Sequence, residues 1–245
     1  MTRRGLLSLA FDRVSYEVET VASPRQATAN FLRIASPKKP TDRTVLILPV
    51  NAGISGQWGD GFYEALRLNW VERYKVTLAA PSFSHLPWYA DHPTDPKIAQ
   101  ESYLLQDILP RFRGQRILLL GFSKSGNGGL TLLLRHPDLF AAAAGWDAPF
   151  LLDAPGKYGS GEIYGTKENF AGYHIPTLLE RHAGSKKLKI AISGYGGFQE
   201  QVAGAHERMA ALGISHEYDN TVKRVHHWTS GWMEPSMATL DRLTR

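Results

Sequence analysis

Ser123 lies in the run Gly121-Phe122-Ser123-Lys124-Ser125-Gly126, directly after the apolar stretch Arg116 to Leu120 and directly before a helical pattern containing Gly128-Gly129-Leu130. A serine between a strand and a helix, flanked by small residues where the two elements nearly touch, suits a strained turn that thrusts its Oγ outward. Such a hydroxyl can attack an acyl carbon and become acylated, which splits one difficult displacement into two easier ones. Attack requires a base, and histidine is the side chain whose pKa suits proton transfer near neutrality. Nine histidines are present. His136 belongs to a His-Pro-Asp-Leu-Phe helix-end segment, His206 falls inside a helical pattern and His216 begins a strand, so surface or packing roles account for these three.

The stretch from Gly121 through Leu132-Leu133-Leu134-Arg135-His136-Pro137-Asp138-Leu139-Phe140 resembles the α/β-hydrolase superfamily, in particular esterase D-type esterases with feruloyl-esterase-like members. The likeness in strand and helix order runs from about Val45 to the C-terminus, with the motifs concentrated at the serine and near His226. It implies a serine esterase whose base lies in the loop after the last strand. There Val225-His226-His227-Trp228 is similar to the family's Gly-Gly-His-x-Trp ending, and counting back from the tryptophan makes His226 the base. It also implies an oxyanion hole in which the N–H of Lys124 is one donor. The second comes from the loop Pro49-Val50-Asn51-Ala52-Gly53, from Asn51 or Ala52, with Asn51 preferred. The Lys124 side chain itself reads as solvated. Two departures stand out: Ser125 occupies the place of the family's second glycine, and Val50-Asn51-Ala52 replaces the usual His-Gly.

The acid that should orient the imidazole is missing from its usual place. After the penultimate strand the chain reads Ile192-Ser193-Gly194-Tyr195-Gly196-Gly197-Phe198, with Glu200 a few residues on, where a carboxylate also simply favours a helix N-terminus. The strand Ala141 to Gly145, by contrast, leads through Trp146 into Asp147, a position some lipases of the superfamily use. Asp147 keeps the Ser…Asp…His order and emerges at the carboxyl edge of the sheet, where ligands bind in open α/β folds. The expected triad is Ser123, His226 and Asp147, with Glu200 or no acid as the alternatives. A turn cap is the plain structural role for Asp147.

The aromatic loop Pro81 to His92 should reach the same edge. It makes Trp88 and Tyr89 candidates for contact with an aromatic or sugar-bearing ester, together with Tyr158, Tyr164 and Tyr173, although aromatics also simply cover a core.

These side chains need a scaffold, and the chain supplies a repeating one. Two alternating segments, Val14 to Val18 and Ala29 to Ile34, read as antiparallel strands, and the continuous apolar run Val45 to Val50 reads as a strand covered on both faces. From there strands at Val76 to Ala80, Ile117 to Leu120, Ala141 to Gly145, Leu188 to Ser193 and His216 to Val225 alternate with helical patterns. The helical stripes are Phe62, Leu66 and Trp70, then Leu104 to Leu109, Gly126 to Arg135, Val202 to Leu212, and the stretch after Pro235. Such alternation predicts an α/β fold with a mostly parallel central sheet and helices on both faces, the α/β-hydrolase arrangement, as one domain over residues 1–245. Residues 148–180 break the rhythm, are rich in Gly, Pro and aromatics, and read as a lid or pocket-wall insertion.

Composition narrows the remaining classes. The 245 residues are 43% hydrophobic and 21% charged, which argues against a disordered or fibrous chain, and no apolar run approaches the length of a membrane span. The basic start Met1 to Leu7 is interrupted by Asp12 and Arg13 before it reaches export-signal length, which favours a cytoplasmic location. The net charge is +5, but the basic pairs Lys38-Lys39 and Lys186-Lys187 are isolated, so a nucleic-acid partner is not expected. The chain has no cysteine, and adjacent histidines such as His226-His227 rarely converge on one ion, so neither metal nor cofactor is expected. The expected partner is a small-molecule ester, hydrolysed through an acyl-enzyme on Ser123. Thioesterase, peptidase and acyltransferase chemistry share that intermediate, and a non-catalytic binding protein on the same scaffold is the rival.

Overall fold

The computed structural model describes residues 14–53 and 56–245; the reading of residues 1–13 as unsuited to export lies outside them. Among the described residues a single eight-stranded sheet runs in the order β1-β2-β4-β3-β5-β6-β7-β8. β1 (Val14–Val21) and β2 (Asn30–Pro37) form an antiparallel hairpin, and β2 pairs antiparallel with β4 (Thr77–Pro81). From β3 (Arg43–Ile47) onward every pairing is parallel, through β5 (Arg116–Phe122), β6 (Phe140–Trp146), β7 (Ile190–Tyr195) and β8 (Glu217–Lys223). The sheet is mostly parallel, as the alternation of apolar runs predicts.

The inner strands β3 to β6 read as unbroken apolar runs because both faces are covered. Val45, Leu118, Leu120, Ala142 and Ala144 point to a layer made by α1 (Gly61–Arg67), α2 (Trp70–Tyr74) and α9 (Met233–Thr244). The alternate residues Leu46, Leu119 and Ala143 point to the opposite layer, made by α4 (Lys124–Arg135), α7 (Ile175–Arg181) and α8 (Gln199–Ala211). Gly213, with φ 66, follows the Leu212 cap of α8 and ends that helix.

Two helical stripes are less regular than their periodicity suggests. The Phe62-Leu66-Trp70 stripe is split between α1 and α2 by Asn69, whose φ of 57 is the left-handed conformation that Asn tolerates. Asp60 starts α1 by accepting the N–H groups of Phe62 and Tyr63 on Oδ1. The stripe at Leu104 to Leu109 belongs to α3 (Gln100–Tyr103), which continues as a π turn over Leu104–Ile108 and a 3₁₀ turn over Leu109–Phe112. Pro110 lacks the N–H that a regular α-helix would need there.

Residues 148–180 fold into short helices, α5 (Gly161–Tyr164) and α6 (Lys167–Ala171) followed by α7. Leu152, Ile163, Tyr164, Phe170 and Tyr173 pack with Trp88, Ala90 and Ile98 into a small core of their own. Arg135 at the end of α4 fastens this segment. It donates to both oxygens of Glu101 (2.7 and 2.9 Å) and to the Gly172 carbonyl (2.6 Å), while the Tyr173 hydroxyl also donates to Glu101 (2.9 Å).

Candidate active site

Ser123 follows β5 and precedes α4, with φ 53 and ψ −131, a conformation an L-residue holds only when its surroundings enforce it. The enforcement is visible in the neighbouring atoms. A Cβ on Gly121 would lie 2.3 Å from the Ser125 carbonyl oxygen, and one on Gly126 would lie 2.9 Å from Ala148 Cβ. The departure at Ser125 is accommodated locally: its hydroxyl accepts the Phe122 N–H (3.0 Å) and donates to the Phe122 carbonyl (2.9 Å), folding the side chain back onto the turn. Ser123 N–H donates to the Trp146 carbonyl (3.0 Å), which ties the serine turn to the residue before Asp147.

Asp147 is fully buried, and φ 42 turns it off the end of β6. Its Oδ2 meets His226 Nδ1 at 2.6 Å and accepts the Gly197 N–H at 3.0 Å; its Oδ1 accepts the Phe198 N–H at 2.8 Å. With every one of these contacts made to a carboxylate that accepts, Nδ1 is the donor toward Asp147, and a neutral imidazole in this orientation has its lone pair on Nε2, the tautomer a general base requires. Glu200 is exposed in the first turn of α8, and the structure brings Asp147, not Glu200, to the imidazole. Asp147 and His226 are therefore together, and His226 stands at the serine turn, with its ring 4.8 Å from that of Phe122.

The imidazole is held among aromatic rings. Trp58 meets it edge-on at 5.1 Å, Phe198 lies tilted against it at 5.7 Å and Trp146 stacks at 6.1 Å. Trp228 anchors the loop that carries His226: it is buried against Phe122 and Trp232, and its N–H donates to the Trp58 carbonyl (3.1 Å). His227 is turned to other work, with Nδ1 engaged by the Thr229 hydroxyl (2.9 Å). Among the described residues no group of three or more His, Cys, Asp or Glu is arranged to hold a metal ion, and no helix is long and apolar enough to cross a membrane.

Lys124 is the first residue of α4, so its N–H has no intrahelical acceptor and is available to a ligand at the serine. Its side chain departs from the solvated reading: it is partly covered, and burial pushes the ammonium below its ordinary 10.5. Asn51 lies in the loop after β3, with its side-chain amide over Gly56, where a Cβ would come within 2.2 Å of Nδ2.

Trp88 and Tyr89 do not form the substrate wall expected of them. Both have 0% exposure. Trp88 donates through Nε1 to the Tyr158 carbonyl (3.3 Å) inside the small core. The Tyr89 ring lies so close to α4 that a Cβ on Gly128 would come within 2.0 Å of it, and its hydroxyl bonds the Pro49 carbonyl behind the β3 loop (2.5 Å). Tyr164 and Tyr173 are likewise buried, and only Tyr158 is exposed. The loop is aromatic because it fills a core, a pattern no different in sequence from a binding wall. Sequence reasoning in turn missed Trp58 and Phe198, which the structure places on the imidazole. The glycines around Phe198 were the available signal.

No family model matches the chain, and no curated protein matches its sequence. Solved structures do match. An S-formylglutathione hydrolase from Agrobacterium tumefaciens superposes with a TM-score of 0.76 at 14% identity, over 97% of this chain and 98% of that one. A ferulic acid esterase matches at TM-score 0.71 and 16% identity, over 95% and 98% of the two chains. The fluorophosphonate-binding serine hydrolase FphF of Staphylococcus aureus matches at 0.72 and 14%, over 95% and 99%. The fold is that of the α/β-hydrolases. Within the α/β-hydrolase frame the serine lies at the strand-to-helix turn of the central β5, and the carboxylate is carried by β6.

Proposed function

We propose that this chain is a serine esterase that hydrolyses carboxylic esters of small molecules. Ser123 is its nucleophile, His226 its base and Asp147 the carboxylate that orients the base. The observation that carries this reading is the 2.6 Å contact of Asp147 with His226 beside a serine held at φ 53. Ser123 Oγ attacks the acyl carbon while its proton passes to His226 Nε2. The carbonyl oxygen, now negative, lies toward the N–H of Lys124 and of Asn51 in the β3 loop. The tetrahedral adduct collapses, the alcohol leaves with the proton from His226, and the acyl group stays on Ser123. Water then repeats the sequence: it gives its proton to His226, adds to the acyl carbon, and releases the acid as Oγ regains a proton.

The similar structures named as esterases and serine hydrolases support this chemistry, and the expected location remains cytoplasmic. The presence of a carboxylate on His226 favours catalysis over a binding role for the scaffold. Residues 148–180 act as a fixed wall of the site, because Tyr158 packs edge-on against Phe198 at 5.4 Å and Phe198 packs on His226. A fluorophosphonate probe tests the reading directly. Labelling of the wild type that is lost in Ser123→Ala, together with loss of p-nitrophenyl ester hydrolysis, is the expected result. Unlabelled wild-type protein would overturn it.

A further inference from the structure

The turn between β7 and α8 contains no carboxylate, yet it folds around one. Gly197 and Phe198 each give a backbone N–H to Asp147, and Phe198 is the N-cap of the thirteen-residue α8, so the positive end of that helix also faces the carboxylate. Two glycines make the approach possible. A Cβ on Gly194, whose φ is 140, would lie 2.5 Å from Asp147 N. A Cβ on Gly196 would lie 2.3 Å from Asp147 Oδ2, 2.7 Å from Cγ and 3.0 Å from Oδ1.

The two obstacles differ in kind. At Gly194 the neighbour is backbone, which cannot give way. At Gly196 it is the carboxylate end of a buried side chain, and Gly196 has no left-handed φ to strain an alanine. An added methyl at 196 therefore meets no backbone, and what it moves is the carboxylate whose oxygen touches His226.

We infer that Gly196 is a positioning residue: its missing side chain is the space in which Asp147 Oδ2 reaches His226 Nδ1. This inference rests on Asp147 being the acid of the triad. The test is a cycle of Gly196→Ala, Asp147→Ala and the double variant, assayed on p-nitrophenyl butyrate, with thermal melts of each. Gly196→Ala is expected to lower kcat by about 10²-fold, the order lost when a reacting group is misplaced by an ångström, with KM within about twofold. The melting temperature should fall no further than that of Asp147→Ala, and the downfield proton resonance of the His226 Nδ1–H should be lost. In the Asp147→Ala background, where no Oδ2 remains to be displaced, the same substitution should change kcat less than about twofold, since the two effects pass through one contact. Wild-type kcat in Gly196→Ala, with Asp147→Ala impaired, would overturn the positioning role. An equal loss in both backgrounds would overturn it too, by showing a purely structural effect. Full activity of Asp147→Ala would instead overturn the triad assignment itself.

Discussion

Asp147 Oδ2 meets His226 Nδ1 at 2.6 Å across 79 residues of chain, and the carboxylate is fully buried while doing so. In the proposed mechanism it fixes the tautomer and stabilises the imidazolium that forms as Ser123 loses its proton. Asp147→Asn keeps the shape and removes that function, so kcat should fall by about 10³ to 10⁴-fold. Glu200→Gln, at an exposed position on α8, should stay within about twofold of wild type, as ordinary surface changes do. Steady-state ester hydrolysis by the two variants decides between the carboxylates.

The oxyanion role assigned to Lys124 concerns its backbone, and side chain and backbone can be separated. Lys124→Met keeps the N–H and should hold kcat within a few-fold. Lys124→Pro deletes the N–H at the first position of α4, where proline is well tolerated in helices. Loss of one oxyanion donor is worth about 2.7 to 4 kcal/mol of barrier, so kcat should fall by about 10² to 10³-fold. Equal activity of the two variants, both folded by circular dichroism, would remove Lys124 N–H from the oxyanion hole.

The sharp serine turn makes a stability prediction. In Gly121→Ala the new methyl faces the Ser125 carbonyl oxygen at 2.3 Å, a backbone atom that cannot yield, and the cost should be about 3 kcal/mol or more. In Gly129→Ala, inside α4, the nearest atom is Leu48 Cδ1 at 3.4 Å. There the gain in helix propensity should leave the protein between unchanged and about 1 kcal/mol more stable. Chemical denaturation of the two variants measures both values.

The parts of this site differ in how openly the sequence displays them, for physical reasons. The serine turn is legible because its sterics demand small residues at fixed offsets, Gly121 and Gly126, between an apolar strand and a helix. His226 is legible through Trp228, whose burial anchors the loop. Asp147 could be ranked only by chain order and its place at the carboxyl edge of the sheet, because its assignment depends on a turn 50 residues away whose glycines look like ordinary loop residues until the carboxylate is seen among them. Trp88 and Tyr89 misled for the opposite reason: composition does not distinguish an aromatic loop that lines a cleft from one that fills a core. The inner parallel strands β3 to β6 are plain in sequence, since burial on both faces writes itself as continuous hydrophobicity. The break at Asn69 and the irregular turns around Pro110 were hidden inside a helical stripe that continues across them.

Glu101 links the 148–180 segment to the end of α4, and its titration gives the fold an acid-sensitive joint. Burial raises the Glu101 pKa, but the hydrogen bonds and charge of Arg135, with His136 and Tyr173, outweigh it and hold the carboxyl below its ordinary 4.5. A carboxyl depressed in the folded state contributes stability above its unfolded value and loses it as pH falls through the folded one. Wild type should therefore exceed Glu101→Gln by about 3 kcal/mol near neutrality, the order lost when one member of a buried ion pair is removed. The difference should shrink as the pH is taken progressively below 4.5. Urea denaturation of both proteins across that range checks the sign. A difference that grew on acidification, or stayed constant to the lowest pH at which both fold, would show that the Arg135–Glu101 pair does not hold the segment in place.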